Sequence, residues 1–370
     1  MPKNQSLHRA KAAKNDEFYT QYADIEKEMN AYLEFDKDVF RGKTILLPCD
    51  DPEWSNFTKY FAQNFETFGL KKLISTSYAA DSKSDEVPYQ PTLFEMNDPK
   101  FDKTKTRSHG KIFVLERDTN HNEKIDIEDL EWDYLEGEGD FRSEEVTKLR
   151  DEADIIITNP PFSLFKEFLS WLVEANKKFI IIGNLNAVTY KDTFPLLKGN
   201  LVWMGATYFN GGAAYFIADQ SLYEPEKMSN PKNAFVKDGV FYWRVNGVRW
   251  FSNLDHGRRH RPIPLMPMSD NLKFNSYVKN IGYQKYDNYD AIEIPNYKAI
   301  PSDYYEAMGV PISFFDKYCP EQFDIIGATE SEGKGFSNGL WDSSSGVAQP
   351  LVGGKRIYKR IFIKHRKETK

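Results

Sequence analysis

The stretch Asp154-Ile155-Ile156-Ile157-Thr158-Asn159-Pro160-Pro161-Phe162-Ser163, running on to Ala175 and into Phe179-Ile180-Ile181-Ile182-Gly183, decides the fold. Apolar, β-branched residues in unbroken succession at 155–158 read as a strand buried on both faces. Pro160 and Pro161 end it, since neither can donate to a ladder. From Ser163, a candidate N-cap, apolar residues return at helical spacing, and 179–182 reads as a second buried strand. Two strands joined by a helix of this length form a parallel crossover. The same alternation recurs upstream. Thr44–Leu47 reads as a strand, Phe57, Tyr60, Phe61, Asn64 and Phe65 recur at helical spacing, Lys72–Ser77 is a second strand and Ile112–Leu115 a third. A polar segment from Asp81 to His109, carrying Pro88, Pro91 and Pro99, reads as an insertion. The expected class is α/β, with helices around a mostly parallel sheet. After about residue 255 the texture changes to short runs broken by prolines, so a domain at 15–255 and another at 256–370 are expected.

The chain has 370 residues, 40% of them hydrophobic and 28% charged, enough to bury a sizeable core. Two cysteines, Cys49 and Cys319, exclude a disulfide scaffold and multi-cysteine metal sites, and point to a reducing, cytoplasmic setting. The six histidines are scattered without ligand spacing, so no metal is expected. The apolar runs are too short to span a bilayer, and the basic N-terminus has no apolar segment behind it, so neither membrane insertion nor secretion is expected.

The net charge of −6 hides an uneven layout. Lys355 to Lys370 holds eight basic residues against Glu368, and Arg244 to Arg261 holds five arginines against Asp255. Lys3, Arg9, Lys11 and Lys14 precede any acid. Trp243, Trp250 and Phe251 interleave with the arginines, and planar guanidinium and aromatic groups suit phosphate contact and base stacking. Glu123 to Asp154, with fourteen acids and four bases, reads as a solvated face turned away from a polyanion.

Asn159-Pro160-Pro161-Phe162 stands where a parallel strand ends, the place where open α/β sheets bind ligands. An exocyclic amine on a nucleobase is a poor nucleophile, because its lone pair is delocalised into the ring. Acceptors aimed at its two hydrogens draw it toward a tetrahedral, nucleophilic geometry. Asn159 offers a side-chain carbonyl, and Pro160 a backbone carbonyl in a turn stiffened by two prolines. Phe162 offers a face for a base pulled out of a duplex. The bland alternative is a stiff strand-to-helix turn. Pro48-Cys49, reminiscent of a covalent nucleophile, ends the first strand instead, and Cys49 is read as a small packing residue.

In this setting the tetrapeptide resembles the catalytic motif of amino-methyltransferases. Asp16 to Tyr22, Cys49-Asp50-Asp51-Pro52, Ser55-Asn56-Phe57, Gly139 to Ser143, Thr158 to Glu167, Tyr286 to Ala291 and Met308 to Ile312 occur in the order of the EcoRI-type adenine-N6 DNA methyltransferase family. The resemblance covers about residues 8 to 327.

It implies a doubly wound, seven-stranded class I methyltransferase sheet with a C-terminal target-recognition region ending in a basic tail. The cofactor implied is S-adenosylmethionine. Phe18, Tyr19 and Thr20 match the segment that cradles its methionine end, although Gln21 stands where a proline is usual. The first strand ends without the usual glycines, in Asp50, Asp51 and Pro52, either aspartate being a candidate for the cofactor's ammonium or ribose. Asp140 and Phe141 match the carboxylate and the ring that hold the cofactor's adenine; Tyr78 and Asp81 are further ribose candidates. Arg258, Arg259, Arg261, Lys355 and Arg356 are the candidate DNA contacts. The motif order resembles the gamma arrangement. The implied partners are double-stranded DNA with a short palindrome such as GAATTC and, genetically, a separate restriction endonuclease; a monomer is expected. Methylation of a protein glutamine or an RNA guanine is the competing enzymatic reading, and DNA binding without catalysis the third.

Overall fold

The computed structural model describes residues 20–50, 55–79, 98–209, 213–216, 234–237, 240–329, 336–337 and 339–366, with backbone alone at 213–216, 234–237 and 240–245. The chain divides into two compact units: residues up to Asn184 with Thr207–Leu254, and Leu185–Ala206 with Asp255 onward.

The first unit carries helices α1 (Tyr22–Phe35), α2 (Asn56–Gln63), α3 (Glu144–Glu152) and α4 (Phe165–Glu174). Its strands are β1 (Thr44–Leu47), β2 (Lys72–Ser77), β3 (Lys111–Leu115), β4 (Glu131–Tyr134), β5 (Ile155–Thr158) and β6 (Lys178–Asn184). The chain re-enters this unit along β7 (Trp203–Tyr208) and continues through β8 (Ala213–Phe216), β9 (Ala234–Lys237), β10 (Val240–Val245) and β11 (Val248–Ser252).

The main sheet has the order β4-β3-β2-β1-β5-β6-β11-β7, and β8, β10 and β9 form a separate antiparallel sheet. The centre of the main sheet is parallel: β1 pairs with β2 and β5, and β5 with β6. Both sides then turn antiparallel, at β2–β3, β3–β4 and β6–β11. The architecture is mixed α/β as expected, but the described residues give this sheet eight strands where seven are expected. Hairpin-type pairing extends its edges, for which no crossover helix is needed. Every residue of β1 and of β5 is buried, as strands covered on both faces must be. Successive strands lie to one side of β1 as far as β4, and β5 opens the other side, so the direction of winding switches between β1 and β5. A crevice at the carboxyl ends of the strands forms at such a switch.

Packing holds this frame. Phe40, Phe57, Tyr60, Phe61 and Phe68 join Ile45, Leu47, Ile155, Ile157, Ile180 and Trp250 in one core. Glu28 of α1, wholly buried, accepts from the Thr207 N–H at 2.7 Å. The second unit contains helix α5 (Met268–Phe274) and strands β12 (Ile292–Glu293), β13 (Met308–Pro311), β14 (Phe323–Ala328), β15 (Leu351–Val352), β16 (Lys355–Arg356) and β17 (Arg360–His365). Its larger sheet has the order β12-β13-β17-β14. Within the basic C-terminal segment, Ile361, Phe362 and Ile363 are fully buried in an interior strand, and their burial fixes the chain there. No helix among the described residues is long and apolar enough to cross a membrane.

Candidate active site

Thr20, Asp50, Ser55, Asn56 and Thr158 are linked by hydrogen bonds at the carboxyl ends of β1 and β5. Asp50, just beyond β1, is 6% exposed, and its N–H donates to the Thr76 carbonyl at 3.0 Å. One carboxylate oxygen accepts from Ser55 Oγ at 2.8 Å and the other from Thr158 Oγ1 at 2.6 Å. Ser55 caps α2, accepting from the N–H groups of Phe57 at 3.1 Å and Thr58 at 3.4 Å. The side chain of Asn56 donates to the Thr20 carbonyl at 2.8 Å. Thr158 closes β5 and begins the Asn-Pro-Pro-Phe turn. One buried carboxylate thus links the first strand, the start of α2 and the turn.

In the turn Pro160 and Pro161 are buried, Asn159 and Phe162 half-buried. Phe162 packs against the main core and opens a 3-10 turn, Phe162–Leu164, ahead of α4. Ser163 does not cap that helix, because the 3-10 turn displaces the helix start and no side chain caps it. The site of Phe165, the first residue of α4, is decided at Gly183 of β6: a Cβ there would overlap the Phe165 ring.

Asp140 reaches the same end of the sheet. Its loop crosses the end of β2, where the Ala79 N–H donates to the Glu138 carbonyl at 2.8 Å. Gly139 has φ +88°, and a side chain there would overlap the Ser77 carbonyl oxygen, so glycine is required twice over. Arg142 donates to Asp140 from its N–H at 2.8 Å, Nε at 2.9 Å and Nη2 at 2.5 Å. Burial pushes the Asp140 carboxyl up, but the hydrogen bonds from Arg142 and Tyr78 outweigh it and hold it at about 2. Burial, reinforced by Asp140, pushes the Tyr78 phenol up.

Phe141, expected against the cofactor's adenine, is fully buried, edge-on to Phe168 at 5.0 Å and Trp171 at 5.5 Å. A ring without exposed surface offers no face to a ligand; Phe141 anchors the Asp140 loop on α4. Thr20 is 3% exposed, and its hydroxyl has no hydrogen-bond partner among the described residues. Phe18, Tyr19, Asp51, Pro52 and Asp81 lie outside the described residues. Among the described residues no cluster of side chains could hold a metal ion.

In the second unit the arginine candidates separate. Arg259 is buried: its guanidinium lies over the Trp203 ring at 3.6 Å from the centroid and donates to the Asn200 side chain. Arg259, expected among the DNA contacts, is thus engaged within its own unit and not presented at the surface. Arg258 is half-buried and Arg261 exposed. Lys355 and Arg356 are exposed on a hairpin, and two motifs that carry the family resemblance build its support. Asn288 donates to the carbonyls of Val347 at 2.7 Å and Gln349 at 2.9 Å and accepts from the Leu351 N–H at 2.9 Å. Asp287 accepts from the N–H groups of Gly353 at 3.2 Å and Gly354 at 2.7 Å. Behind them Tyr286 hydrogen-bonds Glu293, which pairs with Arg360 at 2.7 Å, while a Cβ at Gly309 would overlap the Tyr286 ring.

The chain matches, over residues 6–366, the family model described as adenine-specific methyltransferase EcoRI. The chain belongs to this family. Type II methyltransferase M.EcoRI of Escherichia coli is 37% identical over 370 residues, 99% of this chain and 98% of its own. Type II methyltransferase M.MgeORF184P of Mycoplasma genitalium is 33% identical over 97% of this chain and 98% of its own. Type II methyltransferase M.MpnI of Mycoplasma pneumoniae is 32% identical over 98% and 99%. No solved structure matches. As a member of the adenine-specific EcoRI methyltransferase family, the chain is an enzyme. Ser55, Arg142, Asp287 and Asn288 escape sequence reading as contributors, since each acts by hydrogen bonding a partner that spacing does not reveal; the family motifs around Ser55, Arg142 and Asp287-Asn288 are the one signal that marks them.

Proposed function

We propose that the chain transfers a methyl group from S-adenosylmethionine to the N6 amine of adenine in a short duplex DNA site, after the base has swung out of the helix. The observation that carries this reading is the stiff Asn159–Phe162 turn at the carboxyl end of β5, beside the switch point of the sheet. Asn159 Oδ1 and the Pro160 carbonyl accept the two amine hydrogens, concentrating the lone pair on nitrogen. Phe162 stacks on the extruded base, offsetting part of an unpairing cost of a few kcal/mol. When bound, the cofactor would supply an electrophilic methyl and depart as S-adenosylhomocysteine, and the methylated amine would give up one proton. Thr20, with a buried hydroxyl lacking a partner among the described residues, fits a ligand group there. Asp140 fits the cofactor's adenine amine if it shares its carboxylate with Arg142.

The first unit is then a class I methyltransferase domain and the second a target-recognition domain, with Arg258, Arg261, Lys355 and Arg356 toward the DNA. GAATTC, the palindrome that the family resemblance implies, is the proposed site, and a separate endonuclease of the same specificity the genetic counterpart. The enzyme works as a monomer in the cytoplasm. The test is transfer of labelled methyl from S-adenosylmethionine to unmethylated genomic DNA, followed by nucleoside mass spectrometry and mapping. N6-methyladenine at one short motif, lost in Asn159→Ala with DNA binding retained, is expected. N4-methylcytosine, or no DNA methylation with cofactor bound, overturns the assignment.

A further inference from the structure

We infer that Asp50 is a positioning residue which, with Thr158 and Ser55, clamps the catalytic turn to the end of β1, and not a ligand of the cofactor. The inference rests on the reading of Asn159–Phe162 as the catalytic turn.

Three observations lead to it. First, each Asp50 oxygen already accepts from a hydroxyl of the chain itself, Ser55 at 2.8 Å and Thr158 at 2.6 Å, and the residue is 6% exposed. An ionised carboxylate brought into a protein interior must recover its lost hydration from such donors. Second, the three groups belong to different elements: Asp50 follows β1, Ser55 caps α2 and Thr158 ends β5. Between β1 and β5 the parallel ladder pairs Ile45 with Ile155 and Leu46 with Ile156, and beyond that ladder the Asp50–Thr158 bond links the two strand ends toward the turn. Third, the network extends without a gap: Ser75 donates to the Asp50 carbonyl, and Thr58 and Ser75 share a hydrogen bond of 3.1 Å. A buried polar network that is satisfied in this way is rigid and specifies one arrangement.

Thr158 directly precedes Asn159, so holding its side chain on Asp50 holds the backbone from which the Asn159 turn starts. A displacement of about 1 Å at a reacting centre costs on the order of a hundredfold in rate. A clamp and a ligand therefore leave different kinetic signatures.

The experiment compares Asp50→Asn, Thr158→Val, Thr158→Ser and Ser55→Ala in the full chain. It measures kcat, the KM for S-adenosylmethionine and, by calorimetry, the Kd for S-adenosylhomocysteine. Thr158→Val is expected to lower kcat by about ten- to a hundredfold, with KM and Kd within about twofold, and Thr158→Ser to restore most of the rate. Asp50→Asn should behave like Thr158→Val, and the double variant should be no worse than the poorer single one. Should Asp50→Asn not fold, the Thr158→Val and Thr158→Ser pair decides alone. A large rise in KM and Kd for Asp50→Asn, or a silent Thr158→Val, overturns the clamp. Full activity in Asn159→Ala would instead sink the catalytic reading, so the two failures are distinguishable.

Discussion

Arg259 lies on the face of Trp203, its guanidinium carbon 3.6 Å from the ring centroid, while Arg261, two residues on, points its exposed side chain to solvent. Within one basic run the two arginines therefore have different work. Burial lowers the pKa of the Arg259 guanidinium, and the stack and the Asn200 hydrogen bond hold it in place. Arg259→Ala should cost about 2 kcal/mol of stability and leave the salt dependence of DNA binding as it was. Arg261→Ala should leave stability unchanged and reduce the slope of log affinity against log salt by about one. Denaturation curves and binding titrations over a salt series check both; an altered slope for Arg259→Ala would return that residue to the DNA.

Gly183 and Phe165 make a second pair with a measurable consequence. A methyl group at 183 would overlap the ring that begins α4, three residues beyond Phe162. Gly183→Ala should destabilise the first unit by about 1–3 kcal/mol through overpacking and lower kcat by moving the turn. A variant with wild-type kcat and Tm would show that the turn is placed by its prolines alone.

In the second unit, His260 stands between Asp255 at 2.7 Å and Glu321 at 2.8 Å. Its hydrogen bond to Asp255 raises its pKa against a smaller effect of burial, and Glu321 adds to the rise. A raised folded-state pKa means that the imidazolium contribution is fully present below the ordinary value of 6.5 and is lost as pH rises through the higher folded value. Stability measured by denaturant from about pH 6 to 9 should therefore fall in the wild type and stay flatter in His260→Gln. Parallel profiles for the two proteins would contradict this.

How legible each part was depends on distance along the chain. The strand, the two prolines and the amphipathic helix around Asn159 are local signals, and the sequence placed β1, β2, β5, β6 and α4 from them. Two of the antiparallel strands were not legible: Glu131–Tyr134 is buried only at Trp132, and Val248–Ser252, although mostly buried, takes its place between β6 and β7 from partners distant in the chain.

By itself the sequence determined the α/β class, the family and the two-proline turn after β5, because short runs of neighbouring residues carry each signal. Only the tertiary structure decided which charges are spoken for. Arg259 meets Asn200 and Trp203, Arg360 meets Glu293, and Asp50 meets Thr158 across 108 positions of chain. It also turned Phe141 from a candidate ligand face into a core residue. The physical reason is common to all of them. A side chain's chemical type is fixed by the gene, whereas its solvation and its hydrogen-bond partner are fixed by what the fold brings beside it.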